Sequence, residues 1–378
     1  MSSDTDFDCR HFRGDKPCQY SGKRYCGPRG RLPCGHYEPL GPLTLVIKLG
    51  ALGDVLRTTT LLPAIERVRP DGCVAWITQP AAIPLLEGAG LWKTLPWGFE
   101  AVLWAEGIEW HHVICLDKEE APTALAGRLR SELYSGFGRN RHGLLRSLSA
   151  ATNDLFRLGI DDEIKFCTNK KTYPHLIAEA CELTWGPNPY VLNLTKDEHL
   201  WAAKLVASWG TRPLIGLNPG AGEAFAGKQW PLENFVELAK RLDRAGFTPV
   251  FLGGARESSL YKKLQEVGDV PGVFPGCDFS LRQFISIVSR LTVMVAGDTL
   301  AMHIGIARGV YQVTLFGSTT DREIDFYGRG EAIVGKASCA PCYRRICPTR
   351  EECMREISDE KVFEAVLRGT GCMEGKSR

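Results

Sequence analysis

Apolar positions in this chain fall into two alternating patterns: short β-branched runs and longer stretches with a three-to-four-residue period. Leu45-Val46-Ile47 is short, apolar and β-branched, which predicts a buried parallel strand. A tight Gly50-Ala51-Leu52-Gly53-Asp54 turn follows, and then Val55, Leu56, Leu61, Leu62, Ile65 and Val68 recur at helical spacing. Further strands are predicted at 74–77 and 113–116, with helical patterns between them. The alternation restarts near Pro213 with a strand over 214–217 and a Gly-rich loop over 218–227. A helix over 231–245 comes next, opened by Pro231 at a first-turn position. Strands over 249–252, 293–296 and 313–316 and helices over 258–267, 280–290 and 299–308 continue it. Such alternation predicts an α/β protein of two doubly wound halves with parallel sheets, joined near 190–200.

Residues 1–42 break the pattern: they are basic, spotted with Gly and Pro, and almost free of aliphatic side chains. They cannot build a core, so they stay flexible, pack on the body or are held by a metal. The 378 residues are 44% hydrophobic and 24% charged, which excludes collagen-like, coiled-coil and disordered classes. At about 150 residues per domain the length allows two ordinary cores. Lys plus Arg number 46 against 44 Asp plus Glu, without the basic excess of a nucleic-acid binder. No apolar run reaches the ~18 residues of a membrane helix. The polar, acidic start is not a signal peptide, and the expected location is the cytoplasm.

Four constellations carry candidate chemistry. The first is Lys48-Leu49-Gly50-Ala51-Leu52-Gly53-Asp54-Val55 at a strand-to-helix turn. It lacks dinucleotide-fingerprint spacing. Asp54 is either a helix N-cap or a carboxylate facing the crevice at the carboxyl end of the first strand, where it could act as general base. The second is Asn218-Pro219-Gly220-Ala221-Gly222 with Lys228-Gln229-Trp230-Pro231. Strand, Gly-rich loop, lysine and helix N-terminus together suit a diphosphate, although Lys228 could equally be a solvated surface lysine. The third is Gly297-Asp298-Thr299-Leu300-Ala301-Met302-His303, where Thr299 and His303 share a helix face. Asp298 or Thr299 as a plain cap is its structural alternative. The fourth is Arg128, Arg130, Arg139, Arg141, His142 and Arg146, with Glu132 as the one nearby acid. It is either a solvated face or a site for a phosphorylated or carboxylated sugar.

Fourteen cysteines complete the inventory. Cys9, Cys18, Cys26 and Cys34 are separated by eight, seven and seven residues, and four thiolates suit zinc or an iron–sulfur cluster. Cys339, Cys342, Cys347 and Cys353 open with a metal-like C-x-x-C but fit no standard pair-of-pairs finger. Cys73, Cys115, Cys167, Cys181 and Cys277 lie in or beside apolar stretches and are expected as buried thiols.

Taken together, these segments resemble the ADP-heptose:lipopolysaccharide heptosyltransferase family, glycosyltransferase family nine. The likeness rests on Gly50 to Val55, on Asn218 to Gly222 with Lys228 to Pro231, and on Gly297 to His303 followed by Leu315-Phe316-Gly317-Ser318-Thr319. Cys339-Ala340-Pro341-Cys342 through Cys347-Pro348 is similar to a tail found in many members, and the likeness runs from about residue 43 to the end. The resemblance implies a GT-B fold, two Rossmann-like domains facing a cleft, with a Cys-rich extension at 1–42. Residues 43–195 would bind acceptor, 196–338 would bind the nucleotide-sugar donor, and 339–378 would form the tail, whose 360–368 helix would cross back onto the first domain. Asp54 matches the family's general base for inverting transfer, and Lys228 matches its diphosphate-binding lysine. Gly220, Gly222, Glu257, Asp298, Thr299 and His303 match donor positions, with Glu257 on the ribose. Acceptor contacts are expected from Gly53, Arg57, Arg139 and Arg141. Catalysis would need no cofactor. One position departs: Leu300 stands where many members have glycine, and its side chain limits backbone approach to the phosphates.

The implied activity is transfer of a heptose or related sugar from an ADP-sugar to a lipopolysaccharide core or other surface glycan. It would take place in the cytoplasm, at the inner face of the membrane, with peripheral membrane contact and no nucleic-acid partner. The alternatives are a sugar-nucleotide epimerase on the same fold, or a non-catalytic metal-binding module on a degenerate transferase body. A structural zinc or iron–sulfur cluster is expected at the four N-terminal cysteines.

Overall fold

The computed structural model describes residues 8–20, 35–221, 227–347 and 352–374. Strands β1 (Leu43–Ile47), β2 (Cys73–Thr78), β3 (Lys93–Pro96), β4 (Glu109–Cys115), β5 (Arg130–Arg139) and β6 (Leu145–Ser147) form one sheet in the order β3-β2-β1-β4-β5-β6. All its pairings are parallel except β5–β6, an antiparallel hairpin at the edge. Strands β7 (Leu214–Asn218), β8 (Thr248–Phe251), β9 (Val293–Gly297), β10 (Tyr311–Phe316) and β11 (Gly330–Val334) form a second, wholly parallel sheet in the order β11-β10-β9-β7-β8. Leu45, Val46 and Ile47 are fully buried, as are Val293, Met294, Val295 and Ala296. Helices cover both faces of such strands, so they read as unbroken apolar runs rather than as alternation.

Strand order reverses direction twice, between β1 and β4 and between β7 and β9. Parallel α/β sheets bind ligands outside the carboxyl ends of strands at such switch points. The ends of β1 and β9 are the places where two of the motif segments begin.

The sequence reading finds the central strands and passes over four others. Strand β3 is Lys-Thr-Leu-Pro, β5 carries Arg, Ser and Glu in its first half, β6 has three residues, and β11 begins Gly-Glu. Strands β3, β6 and β11 are edges, and β5 lies next to one; all four are polar because one side or both meet water. Part of the arginine stretch is therefore strand β5 and its hairpin. Cys73, Cys115, Cys181 and Cys277 are buried as expected, and burial pushes the Cys115 thiol up to about 12. Cys167 is a correction: it is exposed, on a short helical turn at 164–168 whose residues are all at least partly open to solvent.

A second correction concerns the C-terminal helix, Asp359–Glu374. It packs on the Leu232–Arg244 helix and on β9, β10 and β11, all in the second sheet's layer, instead of crossing to the first. Trp230 Nε1 donates to Ile357 O at 2.8 Å and Arg241 pairs with Asp359, which fixes the start of this helix. Val362, Ala365 and Val366 supply its fully buried face. Among the described residues no helix is long and apolar enough to cross a membrane.

Gly136 has φ +86°, and a Cβ there would lie 1.9 Å from the Cys115 carbonyl oxygen across the β4–β5 pairing. Gly136→Ala is expected to cost about 3 kcal/mol or more, since both the strain and the backbone clash must be relieved. Urea denaturation checks this, and an unchanged midpoint would contradict the register of β5.

Candidate active site

The chain leaves β1 at Ile47 and starts a helix over Leu52–Thr58. Ala51 occupies the N-cap and makes no side-chain cap hydrogen bond, so Asp54 is a first-turn residue and not the cap. Its carboxylate pairs with Arg57 at 2.8 Å. Burial opposes its ionisation, yet Arg57, Lys48 and His303 together hold its carboxyl below the usual carboxylate range. Arg57 is fixed in turn: its guanidinium stacks over the Tyr173 ring at 3.7 Å and reaches Glu323 at 3.6 Å. Glu323 follows β10, so this ion pair bridges the two halves. The backbone bond from Tyr173 N to Glu323 O, at 2.9 Å, runs beside it.

Gly53 is required by packing rather than by ligand approach. A Cβ there would lie 2.5 Å from His303 Cδ2. The first turn of the Leu52–Thr58 helix therefore abuts the Leu300–Ala307 helix, which follows β9. His303 is buried beneath this contact, and its Nδ1 has no hydrogen-bond partner among the described residues. Burial, with Arg57 nearby, lowers its pKa to about 4, so the ring is neutral at pH 7.

On the other wall, Lys228 Nζ donates to Asp298 Oδ2 at 2.9 Å and to Asp298 O at 3.2 Å. Burial opposes ionisation of Asp298, and Lys228, His303 and Thr319 outweigh it, leaving the carboxyl below its usual range. Thr299 Oγ1 donates to Asn218 Oδ1 at 3.4 Å instead of capping its helix, so the amides of Leu300 and Ala301 receive no side-chain cap. Uncapped amides at a helix start, beside a lysine, make an anion site. Gly220 lies against Glu257, whose Oε2 accepts from Gly254 N at 2.8 Å. Leu300 lines the same space.

These groups surround one cleft of about 1250 Å³. That exceeds the usual ~300–1,000 Å³ of a single small-ligand pocket. From the first half it is lined by Gly53, Asp54 and Arg57; from the second by Gly220, Lys228, Glu257, Asp298, Thr299 and His303. Gly222 lies outside the described residues. Arg139 and Arg141 do not line the cleft. Arg139 instead donates to Thr123 Oγ1 and to the Glu120 and Gly143 carbonyls, and Arg141 sits beside His142 on the exposed β5–β6 turn. Arg128 and Arg130 pair with Glu106 and Glu109 on the outer surface.

Of the cleft residues that escape the sequence reading, three bear on the chemistry. Lys165, on the 164–168 turn, lies over the Tyr343 ring at 3.9 Å, and Tyr343 comes from the cysteine-bearing tail. Glu323 is the third. Lys165 and Glu323 sit in no recognisable motif, and Tyr343 belongs to the cysteine-bearing tail, which only folding brings to the cleft. Of the N-terminal cysteines, Cys9 is buried and Cys18 half-buried, while Cys26 and Cys34 lie outside the described residues. Among the described residues no group of three or more His, Cys, Asp or Glu side chains could hold a metal ion.

Comparison with known proteins places this geometry in context. The family Glycosyltransferase family 9 (heptosyltransferase) matches residues 160–352. The chain is 29% identical over 356 residues to lipopolysaccharide heptosyltransferase 1 of Pseudomonas aeruginosa, covering 84% of this chain and 91% of that protein. Among solved structures, a family 9 glycosyl transferase from Veillonella parvula superposes with a TM-score of 0.70 at 19% identity, covering 87% of this chain and 97% of that one. ADP-heptose lps heptosyltransferase II of E. coli superposes with a TM-score of 0.65 at 16% identity, covering 88% and 99%. These likenesses establish two parallel-sheet domains in the GT-B arrangement.

The buried, neutral His303 is open to direct test. Its ring resonances in a pH titration should keep the neutral form down to about pH 4. A midpoint near the ordinary value of about 6.5 would mean that the Gly53 contact does not bury it.

Proposed function

The chain belongs to glycosyltransferase family 9, the heptosyltransferases, and we propose that it transfers heptose from ADP-heptose to a lipopolysaccharide core acceptor with inversion. The observation that carries this reading is the juxtaposition across one cleft of Asp54 with Lys228, Asp298 and His303. A carboxylate kept ionised suits a proton acceptor, and a lysine beside uncapped helix amides suits a diphosphate.

In the proposed reaction the acceptor hydroxyl oxygen attacks the anomeric carbon of the donor. The bond from that carbon to the diphosphate oxygen breaks, and ADP leaves with the electron pair. Asp54 takes the hydroxyl proton as the new glycosidic bond forms. Lys228 and the amides of Leu300 and Ala301 stabilise the charge growing on the diphosphate. Asp298 cannot grip phosphate with its carboxylate. Its hold on Lys228 makes it the residue that aims the ammonium, with its free lone pairs open to a sugar hydroxyl. Glu257, at the end of the cleft near Gly220, is placed to accept from ribose hydroxyls.

The acceptor enters beside Asp54, where the expected Arg57 is joined by Lys165 as a cationic side chain lining the cleft. We also propose that the enzyme works against the inner face of the cytoplasmic membrane. Leu144 and Ile160 are 64% and 71% exposed, and Arg141, Arg146 and Arg157 make no ion pair among the described residues. Strand β5 runs three residues past Gly136, the partner of the last β4 residue, which carries its hairpin beyond the cleft edge of the sheet. A structural zinc or iron–sulfur centre at Cys9, Cys18, Cys26 and Cys34 remains part of the proposal. Elemental analysis tests it: an active enzyme free of zinc and iron would remove it.

Asp54→Asn should abolish transfer while leaving ADP affinity almost unchanged, because the base acts on the acceptor. Retention of most turnover would sink the base assignment. Lys228→Ala should weaken ADP binding and turnover together, by about tenfold or more. Calorimetric titration with ADP, UDP and GDP reads the donor directly: preference for ADP is expected, and preference for UDP or GDP would exclude ADP-heptose.

A further inference from the structure

Lys48 and Asp117 form a buried ion pair at the switch point of the first sheet. Lys48 follows the last residue of β1, and Asp117 lies two residues past the end of β4. They are 6% and 2% exposed, and Lys48 Nζ meets Asp117 Oδ1 at 2.6 Å. The other carboxylate oxygen accepts from Leu49 N at 2.5 Å. One carboxylate thus holds a side chain and the next backbone amide. On the β2 side the same two residues are held by backbone and side-chain donors: Gln79 N donates to Leu49 O at 3.3 Å and Trp76 Nε1 to Lys48 O at 3.3 Å.

Beyond Leu49 the turn is tied by Asp54 itself, whose carboxylate accepts a hydrogen bond from the Ala51 backbone. Gly50 has no heavy atom within 4 Å of a would-be Cβ, and Ala51 provides no side-chain cap. Asp54 follows three residues later. The pair is therefore the last side-chain clamp before the turn that carries the base. Net stability is a weak reason for such a pair, since apolar residues of similar volume often hold a core as well or better. Apolar residues would not fix the Leu49 amide, nor would they set a cation near Asp54.

Resting on the transferase reading in which Asp54 is the base, we propose that Lys48 and Asp117 are positioning residues for transfer. The pair fixes the direction in which the chain leaves β1, and with it the place of the Asp54 carboxylate in the cleft. Neither side chain lines the cleft. The charged and titratable groups around Asp54 are Arg57 on its own helix, Lys48 from the end of β1, His303 from the Leu300–Ala307 helix, and the phenols of Tyr173 and Tyr190. Around Lys48 they are Asp117, Tyr173, Asp54, Cys115 and Lys118. Lys48 favours the ionised form of Asp54. Its removal raises the Asp54 pKa, so the acid limb of the rate profile moves to higher pH.

The test uses the full-length enzyme and three disrupting variants, Asp117→Asn, Lys48→Met, and the apolar pair Lys48→Met with Asp117→Leu, beside Lys48→Arg and Asp54→Asn as controls. Each folded variant should lose about tenfold or more in kcat, because a small displacement of a reacting group is costly. KM for the donor should stay within about twofold. The acid limb should rise in both variants lacking Lys48 and return in Lys48→Arg. The apolar pair guards against misfolding of the single variants. If it is folded, with wild-type kcat and an unmoved acid limb, the pair is a structural staple and the proposal falls. If it cannot fold, the pair belongs to folding and the proposal falls equally. The Asp54 carboxyl resonance, assigned by its loss in Asp54→Asn, reports the same pKa shift without turnover. A wild-type protein that transfers nothing would thus refute the reaction and leave this test standing.

Discussion

The site depends on one close contact, the first turn of the Leu52–Thr58 helix against His303. Gly53 has no room for even a methyl group there. That contact sets the distance between the carboxyl edges of the two sheets, and so the distance between a base carried by the first and a diphosphate cradle carried by the second. Arg57 secures the same approach by ion pairing forward to Glu323 and back to Asp54. A wider gap would leave His303 wet. Packing and chemistry are here the same constraint.

Charge in the cleft is arranged in pairs. Asp54 is held by Arg57 and Lys48, yet its side chain keeps a third of its surface open. Asp298 is spent on orienting Lys228. His303 stays neutral, so it adds a hydrogen-bonding group without repelling either cation. The usual cost of burying charge is met by pairing. The same pairing keeps both carboxylates ionised at neutral pH. Arg57 and Lys48 lower the Asp54 pKa and so keep it in its proton-accepting form.

Much of this was legible in the sequence, and the rest was hidden for identifiable reasons. The central strands announce themselves because both faces are buried. Polar β3, β5, β6 and β11 do not, because edges are built to be wet. Asp298 stands where a strand end meets a helix start, Asp54 and His303 lie in first helical turns, and Lys228 closes a Gly-rich loop before its helix, positions that one-dimensional alternation locates well. Lys165, Glu323 and Tyr343 come from loops far apart in the chain, and no periodicity brings them together. The arginine run, which the sequence leaves open between a solvated face and a binding site, folds with Arg139 on Thr123 and Arg141 on the exposed β5–β6 turn. The C-terminal helix followed its own apolar face, through Val362, Ala365 and Val366, onto the nearer sheet.

A crystal structure of the protein with ADP would test the central claim most directly. The account places the diphosphate between Lys228 Nζ and the amides of Leu300 and Ala301, with the ribose at Glu257 and Asp54 left open to the facing side. ADP bound elsewhere, or bound in the cleft with Lys228 still turned wholly to Asp298 and no contact to the diphosphate, would contradict it.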